Sequence, residues 1–115
     1  MIKKGDDEES GIYNLNKGES IDNFLGKNPG KYIFNDFHTE WCGPCKQLGP
    51  ILCQKDIKVG AFVLKVDIDN HQDIASSYGI SSIPLVILMK DGTRLDTLIR
   101  FNPQKLEQMI NLISH

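Results

Sequence analysis

Residues 41–46 read Trp41-Cys42-Gly43-Pro44-Cys45-Lys46, and the fold of the chain is decided around them. The preceding stretch Tyr32–His38, YIFNDFH, has the aromatic and β-branched content of a strand. A helix is expected to start near Cys42 and run to about Asp56, with Gly49 and Pro50 inside it; the proline removes one backbone hydrogen bond and predicts a kink. The cysteines therefore sit where a strand hands over to a helix. The first helical turn has unpaired N–H groups and the positive end of the helix dipole. A thiolate at Cys42 is stabilised there, with a pKa below the free value of about 8.5. Cys45 follows three residues later on the same helix face. That spacing allows the roughly 4.4–6.8 Å between Cα atoms that a disulfide needs. Pro44 suits the first turn, where its missing N–H costs nothing.

A pair of this spacing could also be half of a zinc site, which needs two more ligands. The candidates are Cys53, His38, His71 and His115. None of them forms a second close pair, and a proline between the cysteines does not suit a zinc knuckle. Composition narrows the field further. The chain has 115 residues, the size of one domain, and an odd count of three cysteines, which excludes a disulfide framework. Hydrophobic residues at 40% and charged residues at 24% are ordinary for a globular domain. A net charge of −2 gives no long-range attraction to phosphate, so a nucleic-acid binder is not expected.

Outward from the motif, the elements alternate. Ser20 caps a short helix carrying Ile21, Phe24 and Leu25, which Asn28-Pro29-Gly30 stops. Ala61–Val66, AFVLKV, is a strand without clean alternation, which predicts burial on both faces and helices on either side of the sheet. Asp69 or Asn70 starts another short helix with Ile74, Ala75 and Tyr78 on one face and Gly79 as its stop. Leu85–Met89 and Leu95–Ile99 flank Asp91-Gly92, a two-residue hairpin signal. Asn102-Pro103 starts a last helix whose buried stripe is Leu106, Met109, Ile110 and Ile113. The expected order is (β)αβαβαββα, giving one mixed sheet between helices. Residues 1–10, MIKKGDDEES, read as a flexible acidic tail, with no apolar run to form a secretory signal. The longest apolar run, Leu85–Met89, is far below the ~20 residues of a membrane helix. A cytoplasmic location and a reducing compartment are expected, where a close cysteine pair is catalytic or metal-binding.

With these residues in hand, the chain resembles the thioredoxin family over roughly residues 12–115. Five features match in order: Asp36-Phe37, the Trp41–Lys46 motif, Pro50, Lys65 with Asp67 and Asp69, and Gly79-Ile80 followed by Ile83-Pro84. The resemblance implies an α/β thioredoxin fold, a central mixed β-sheet flanked by helices on both faces, over residues 11–115. It also implies roles. Cys42 is the nucleophile that attacks a target disulfide, and Cys45 the buried resolving thiol. Asp36 is the buried carboxylate that helps move the Cys45 proton, with Lys65 near it. Trp41, Gly43 and Pro44 flank the site. Pro84 is a cis-proline opposite the cysteines, and Ile83 before it offers backbone hydrogen bonds to the target strand. The residues themselves support part of this. Asp36 lies in a strand rich in aromatics, so burial should raise its pKa towards the value a general base needs near neutrality, with Lys65 opposing. Read without the resemblance, Asp36 could cap a turn and Pro84 could be an ordinary trans proline at a strand start.

Several positions depart from the family pattern. His38 replaces an aromatic or apolar residue; if protonated and close, it would lower the Cys42 pKa further, and otherwise it is a packed or solvated imidazole. Asn35 adds a polar group that needs a partner if buried. Ser82 and Arg100 replace glycines of the family's recognition surface, and Arg100 brings bulk and charge to it, so a change to glycine should improve turnover with a generic thioredoxin reductase. Cys53, eleven residues past Cys42, reads as a small buried hydrophobe or an exposed regulatory thiol. His71 and His115 read as solvated surface residues, and Asp67 with Asp69 as a helix-start charge cluster.

The expected function is a protein-disulfide reductase working by dithiol–disulfide exchange. It would need no bound cofactor and no metal, the redox group being the Cys42–Cys45 pair. Expected partners are disulfide-containing proteins and an NADPH-dependent thioredoxin reductase, with no nucleic acid or membrane, and the protein is expected to be a monomer. The Gly-Pro insert resembles that of reducing members, with potentials around −270 mV. The alternatives are a specialised redox protein with a dedicated partner, or a non-catalytic binding subunit of the same fold.

Overall fold

The computed structural model describes residues 11–54 and 61–113, the side chains of Cys53 and Gln54 excepted. The expected tail over residues 1–10, the side chain of Cys53 and the terminal His115 lie outside the described residues. The elements are β1 (Ile12–Asn14), α1 (Ile21–Lys27), β2 (Tyr32–His38), α2 (Gly43–Gln54), β3 (Ala61–Asp67), α3 (Gln72–Ser77), β4 (Leu85–Lys90), β5 (Thr93–Ile99) and α4 (Pro103–Leu112). The sheet order is β1-β3-β2-β4-β5. β1, β3 and β2 are parallel, and β4 is antiparallel to both β2 and β5. The mixed sheet and the order of elements follow the expectation.

Local chemistry explains most boundaries. Ser20 Oγ accepts from the Asn23 N–H at 3.0 Å and starts α1. Asn102 Oδ1 does the same for the Lys105 N–H at 3.2 Å, with Pro103 opening α4. Asp91 and Gly92 both take positive φ, 52° and 83°, as a two-residue hairpin between right-twisted strands requires.

Side chains on the two faces of β2 bury into different cores, because alternate residues of a strand point to opposite faces. Phe34 joins Leu48 and Leu52 of α2 and Leu106, Met109 and Ile110 of α4. Ile33 and Phe37 join Ile21 and Leu25 of α1 and Ile74 of α3. Helices thus cover both faces, and five of the seven β2 residues are buried. Asp36 and His38 share the α2 face of the strand with Phe34, which determines where their side chains act.

Two expectations are corrected. α3 starts at Gln72, later than Asp69 or Asn70. Asp67 Oδ1 accepts from the Asp69 N–H at 3.0 Å and its Oδ2 from Asn70 Nδ2 at 3.4 Å, which holds those residues in a turn before the helix. His71 is not a solvated surface residue: it is only 2% exposed, and its Nε2 donates to the Leu15 carbonyl at 3.2 Å. The ring ties the entry of α3 to the end of β1.

Candidate active site

β2 ends at the edge of the sheet where the cysteine motif begins. Ligands of open α/β sheets bind beyond the carboxyl ends of the parallel strands, and four residues form a row there. Asp67 at the end of β3 pairs with His38 at the end of β2. Phe37 pairs with Leu85, and Leu85 with Ile99, so Pro84 comes next to β2 and Arg100 lies beyond it. The Arg100 N–H donates to the Pro84 carbonyl at 2.9 Å, and the Ile83–Pro84 peptide is cis.

Cys42 immediately precedes α2. Its N–H donates to the Thr39 carbonyl at 3.4 Å, and its own carbonyl accepts from the Lys46 N–H at 3.3 Å. Its Sγ accepts from the Cys45 N–H at 3.2 Å. The sulfur occupies the place that a serine or aspartate oxygen takes in an N-cap. Pro44 has no N–H, so Cys45 supplies the donor. Cys42 and Cys45 are joined as a disulfide with Cα atoms 5.3 Å apart, and each side chain is 5% exposed. On reduction, the same N–H and the helix dipole favour negative charge on the Cys42 sulfur. Gly43 and Pro44 are exposed on the first turn.

Behind Cys45 a cleft of about 510 Å³ is lined by Asp36, His38, Thr39, Gly49 and Lys65 as well as Cys45 itself. Asp36 is 1% exposed, and burial pushes its carboxyl up to about 6 while the Lys65 charge opposes the rise. Asp36 pairs with Lys65 across β2 and β3. Asp36 Oδ1 and Thr39 Oγ1 are both buried without a hydrogen-bond partner among the described residues. Gly49 lets α2 approach this point: a Cβ there would stand 3.4 Å from Lys65 Nζ and 3.8 Å from Asp36 Oδ2.

His38 is half-buried, and burial followed by the Lys65 charge lowers its pKa, against the opposing pull of Asp67 and Glu40. In the oxidised protein these effects together favour the neutral imidazole. Asn35 is fully buried; its Nδ2 donates to the Ile87 carbonyl at 2.9 Å, and its Oδ1 has no partner among the described residues.

Trp41 stands 72% exposed, with its Nε1 donating to Asp69 Oδ2 at 3.0 Å. Ile83 and Ser82 are half-buried and Pro84 is buried. Arg100 is exposed and holds φ at 67°, the left-handed region, which is the physical reason glycine suits this position. The parts that three residues play here were not read from the sequence. Asp69 anchors Trp41, Thr39 lines the cleft, and Gly49 admits Lys65 and Asp36 to it. For Gly49, a glycine beside a proline inside a helix was the available signal of a close approach.

No group of three or more His, Cys, Asp or Glu among the described residues is placed to hold a metal ion. No helix among them is long and apolar enough to cross a membrane.

The chain's similarity to known proteins agrees with this geometry. The thioredoxin family model matches residues 14–112. A thioredoxin of Chlamydia caviae is 38% identical over 96 residues, 83% of this chain and 92% of that one. A thioredoxin of Mycoplasmoides gallisepticum is 46% identical over 91 residues, 77% of this chain and 87% of its own. The crystal structure of Schistosoma mansoni thioredoxin superimposes with a TM-score of 0.81 at 30% identity, covering 90% of this chain and 96% of that one. A cysteine disulfide capping a helix at the end of a central strand, on this sheet and with these relatives, belongs to a thiol–disulfide oxidoreductase that works through its own cysteine pair without a cofactor, and the chain is a member of the thioredoxin family.

Proposed function

We propose that Cys42 is the attacking thiol and Cys45 the resolving thiol in the reduction of protein disulfides. The observation that carries this reading is the Cys45 N–H directed at Cys42 Sγ at 3.2 Å, with Cys45 backed by the cleft that holds Asp36. The Cys42 thiolate attacks one sulfur of the target disulfide. A Cys42–target bond forms, and the other target sulfur leaves as a thiolate that takes a proton from water. Cys45 then gives its proton to the Asp36 carboxylate and attacks Cys42 Sγ. The Cys42–Cys45 bond forms, the mixed disulfide breaks, and the second target thiol departs with a proton. Two electrons pass from the pair to the target; one proton comes from water and the other, by way of Asp36, from Cys45. A carboxyl with a pKa of about 6 suits the transfer, since it is largely ionised at pH 7 yet basic enough to accept. Lys65 limits that rise.

Trp41, Gly43, Pro44, Ile83 and Pro84 form the rim that receives the target, with Arg100 beside them. The substrates are proteins that contain disulfides, and a reductase returns the electrons, as in the family generally. In our reading that reductase uses NADPH, the protein works as a monomer, and it acts in the cytoplasm as one domain over residues 11–115.

The test is insulin reduction coupled to NADPH oxidation through a thioredoxin reductase. Wild-type protein should sustain turnover, Cys42→Ser should abolish it, and Cys45→Ser should accumulate a mixed disulfide through Cys42. Adducts formed through Cys45 in Cys42→Ser at the wild-type rate would reverse the assignment. Sedimentation of the reduced protein checks the monomer.

A further inference from the structure

Among the described residues, two other than glycine hold a positive φ, Asp91 at 52° and Arg100 at 67°. Asp91 has a local reason: it is the first residue of the hairpin turn, and its Oδ1 accepts from the Gly30 N–H at 2.8 Å. Arg100 has none. A long side chain gains nothing from the left-handed region, where glycine is free of the Cβ clash. Strain kept at an exposed position points to work done by the side chain.

Place and charge say what that work is. The Arg100 N–H is anchored to the Pro84 carbonyl at 2.9 Å, so the residue stands directly beside the Ile83–Pro84 rim. Its side chain is exposed and makes no ion pair with a carboxylate among the described residues; Asp96 on the same strand is engaged with Lys105 at 3.1 Å. The opposite end of the row is acidic, with Asp67 at the end of β3 and Glu40 and Asp69 around Trp41. Carboxylates thus gather around Trp41 at the β3 end and Arg100 stands at the β5 end, with Lys46 and Lys65 set in the cleft behind Cys45. A carboxylate on a bound chain is repelled at one end and attracted at the other, which selects orientation as well as partner.

We propose that Arg100 selects protein disulfides in which an aspartate or glutamate flanks the attacked cysteine, pairing its guanidinium with that carboxylate at the β5 end of the site. The inference rests on the reading above that the Ile83–Pro84 rim receives the target strand.

The test uses the full chain, reduced beforehand, in single-turnover reactions with matched peptide disulfides. Glutamate, glutamine or lysine occupies the position before or after the target cysteine, and released peptide thiol is measured. Wild-type protein should react about three- to fivefold faster with glutamate than with glutamine at one of the two positions, as a solvent-exposed ion pair allows, and the preference should shrink with added salt. Arg100→Gln keeps the Cβ and the strained backbone but removes the charge, so the ratio should fall to near one. Arg100→Glu should favour lysine. Equal rates with glutamate and glutamine at both positions in wild-type protein, a comparison that needs no variant, overturn the proposal. So does a glutamate preference that survives Arg100→Gln. A wild-type protein that reduces none of the peptides overturns the function assigned to the site, an outcome separate from reduction without preference.

Discussion

The indole Nε1 of Trp41 donates to Asp69 Oδ2 at 3.0 Å, across 28 residues of sequence. This bond holds a ring that is 72% exposed at the rim of the cysteine pair. An exposed hydrogen bond to a carboxylate contributes about 1 kcal/mol or less. Asp69→Ala should therefore leave the fold intact, free the ring, and lower kcat/KM for protein disulfides about two- to fivefold. Fluorescence anisotropy of the single tryptophan should fall in the same variant. Asp69→Asn retains an acceptor oxygen and should recover most of both signals. Unchanged anisotropy in Asp69→Ala would show that packing holds the ring.

Asp36 makes stability depend on pH with a defined sign. Its folded pKa of about 6 lies above the ordinary 3.8. Between those values the folded state keeps a proton that the unfolded state has lost, so stability falls as pH rises through the window. The difference corresponds to at most about 3 kcal/mol, fully expressed above the folded value. Asp36→Asn should stabilise the oxidised protein by up to that amount at pH 7.5 and little at pH 4. Urea unfolding at several pH values measures it. On the mechanism proposed above, the same variant should also slow release of the mixed disulfide, because asparagine does not accept the Cys45 proton.

Gly49 offers a way to move Asp36 without touching it. A methyl group there meets the flexible end of Lys65 at 3.4 Å and Asp36 Oδ2 at 3.8 Å, so it fits with a small adjustment. Alanine favours a helix over glycine by about 1 kcal/mol. Gly49→Ala should raise stability by roughly 0.5–1 kcal/mol and cover the carboxylate further. The Asp36 titration, followed by carboxyl carbon chemical shift, should move above its present value. A downward move would mean that the displaced Lys65 charge outweighs desolvation.

His71 is a buried strut. Its Nε2 proton satisfies the Leu15 carbonyl at 3.2 Å, and the ring is 2% exposed. His71→Ala leaves that carbonyl without its partner and opens a void, which together should cost about 2–4 kcal/mol. Urea unfolding reads the loss. A change below about 0.5 kcal/mol, the range of ordinary surface substitutions, would return His71 to the surface.

The parts of the fold that were legible in the sequence share one cause. Ser20, Asn102-Pro103 and the backbone of Asp91-Gly92 act within a few residues, so each reports its own turn or cap wherever the rest of the chain goes. His71 was misread because nothing near it in sequence signals burial: its partner is Leu15, 56 residues back, just past the end of β1, the strand that pairs with β3. Asp67 and Asp69 were read as a helix start because acids favour that position. Their side chains instead close a turn and hold Trp41.

At the site the division is equally physical. Trp41-Cys42-Gly43-Pro44-Cys45-Lys46 by itself determined a thiol pair at a helix start, since dipole, spacing and the missing proline N–H are properties of six consecutive residues. The pKa of Asp36 needed the tertiary structure, because desolvation depends on what α2 lays over β2. The downward shift of the His38 pKa needed it for the same reason, together with the Lys65 charge on β3. The row Asp67, His38, Pro84 and Arg100 exists only once four strands lie in register, and with it the separation of Arg100 from the carboxylates around Trp41. Sequence carries what neighbouring residues do to one another. Burial and long-range charge arise only when distant segments exclude water between them.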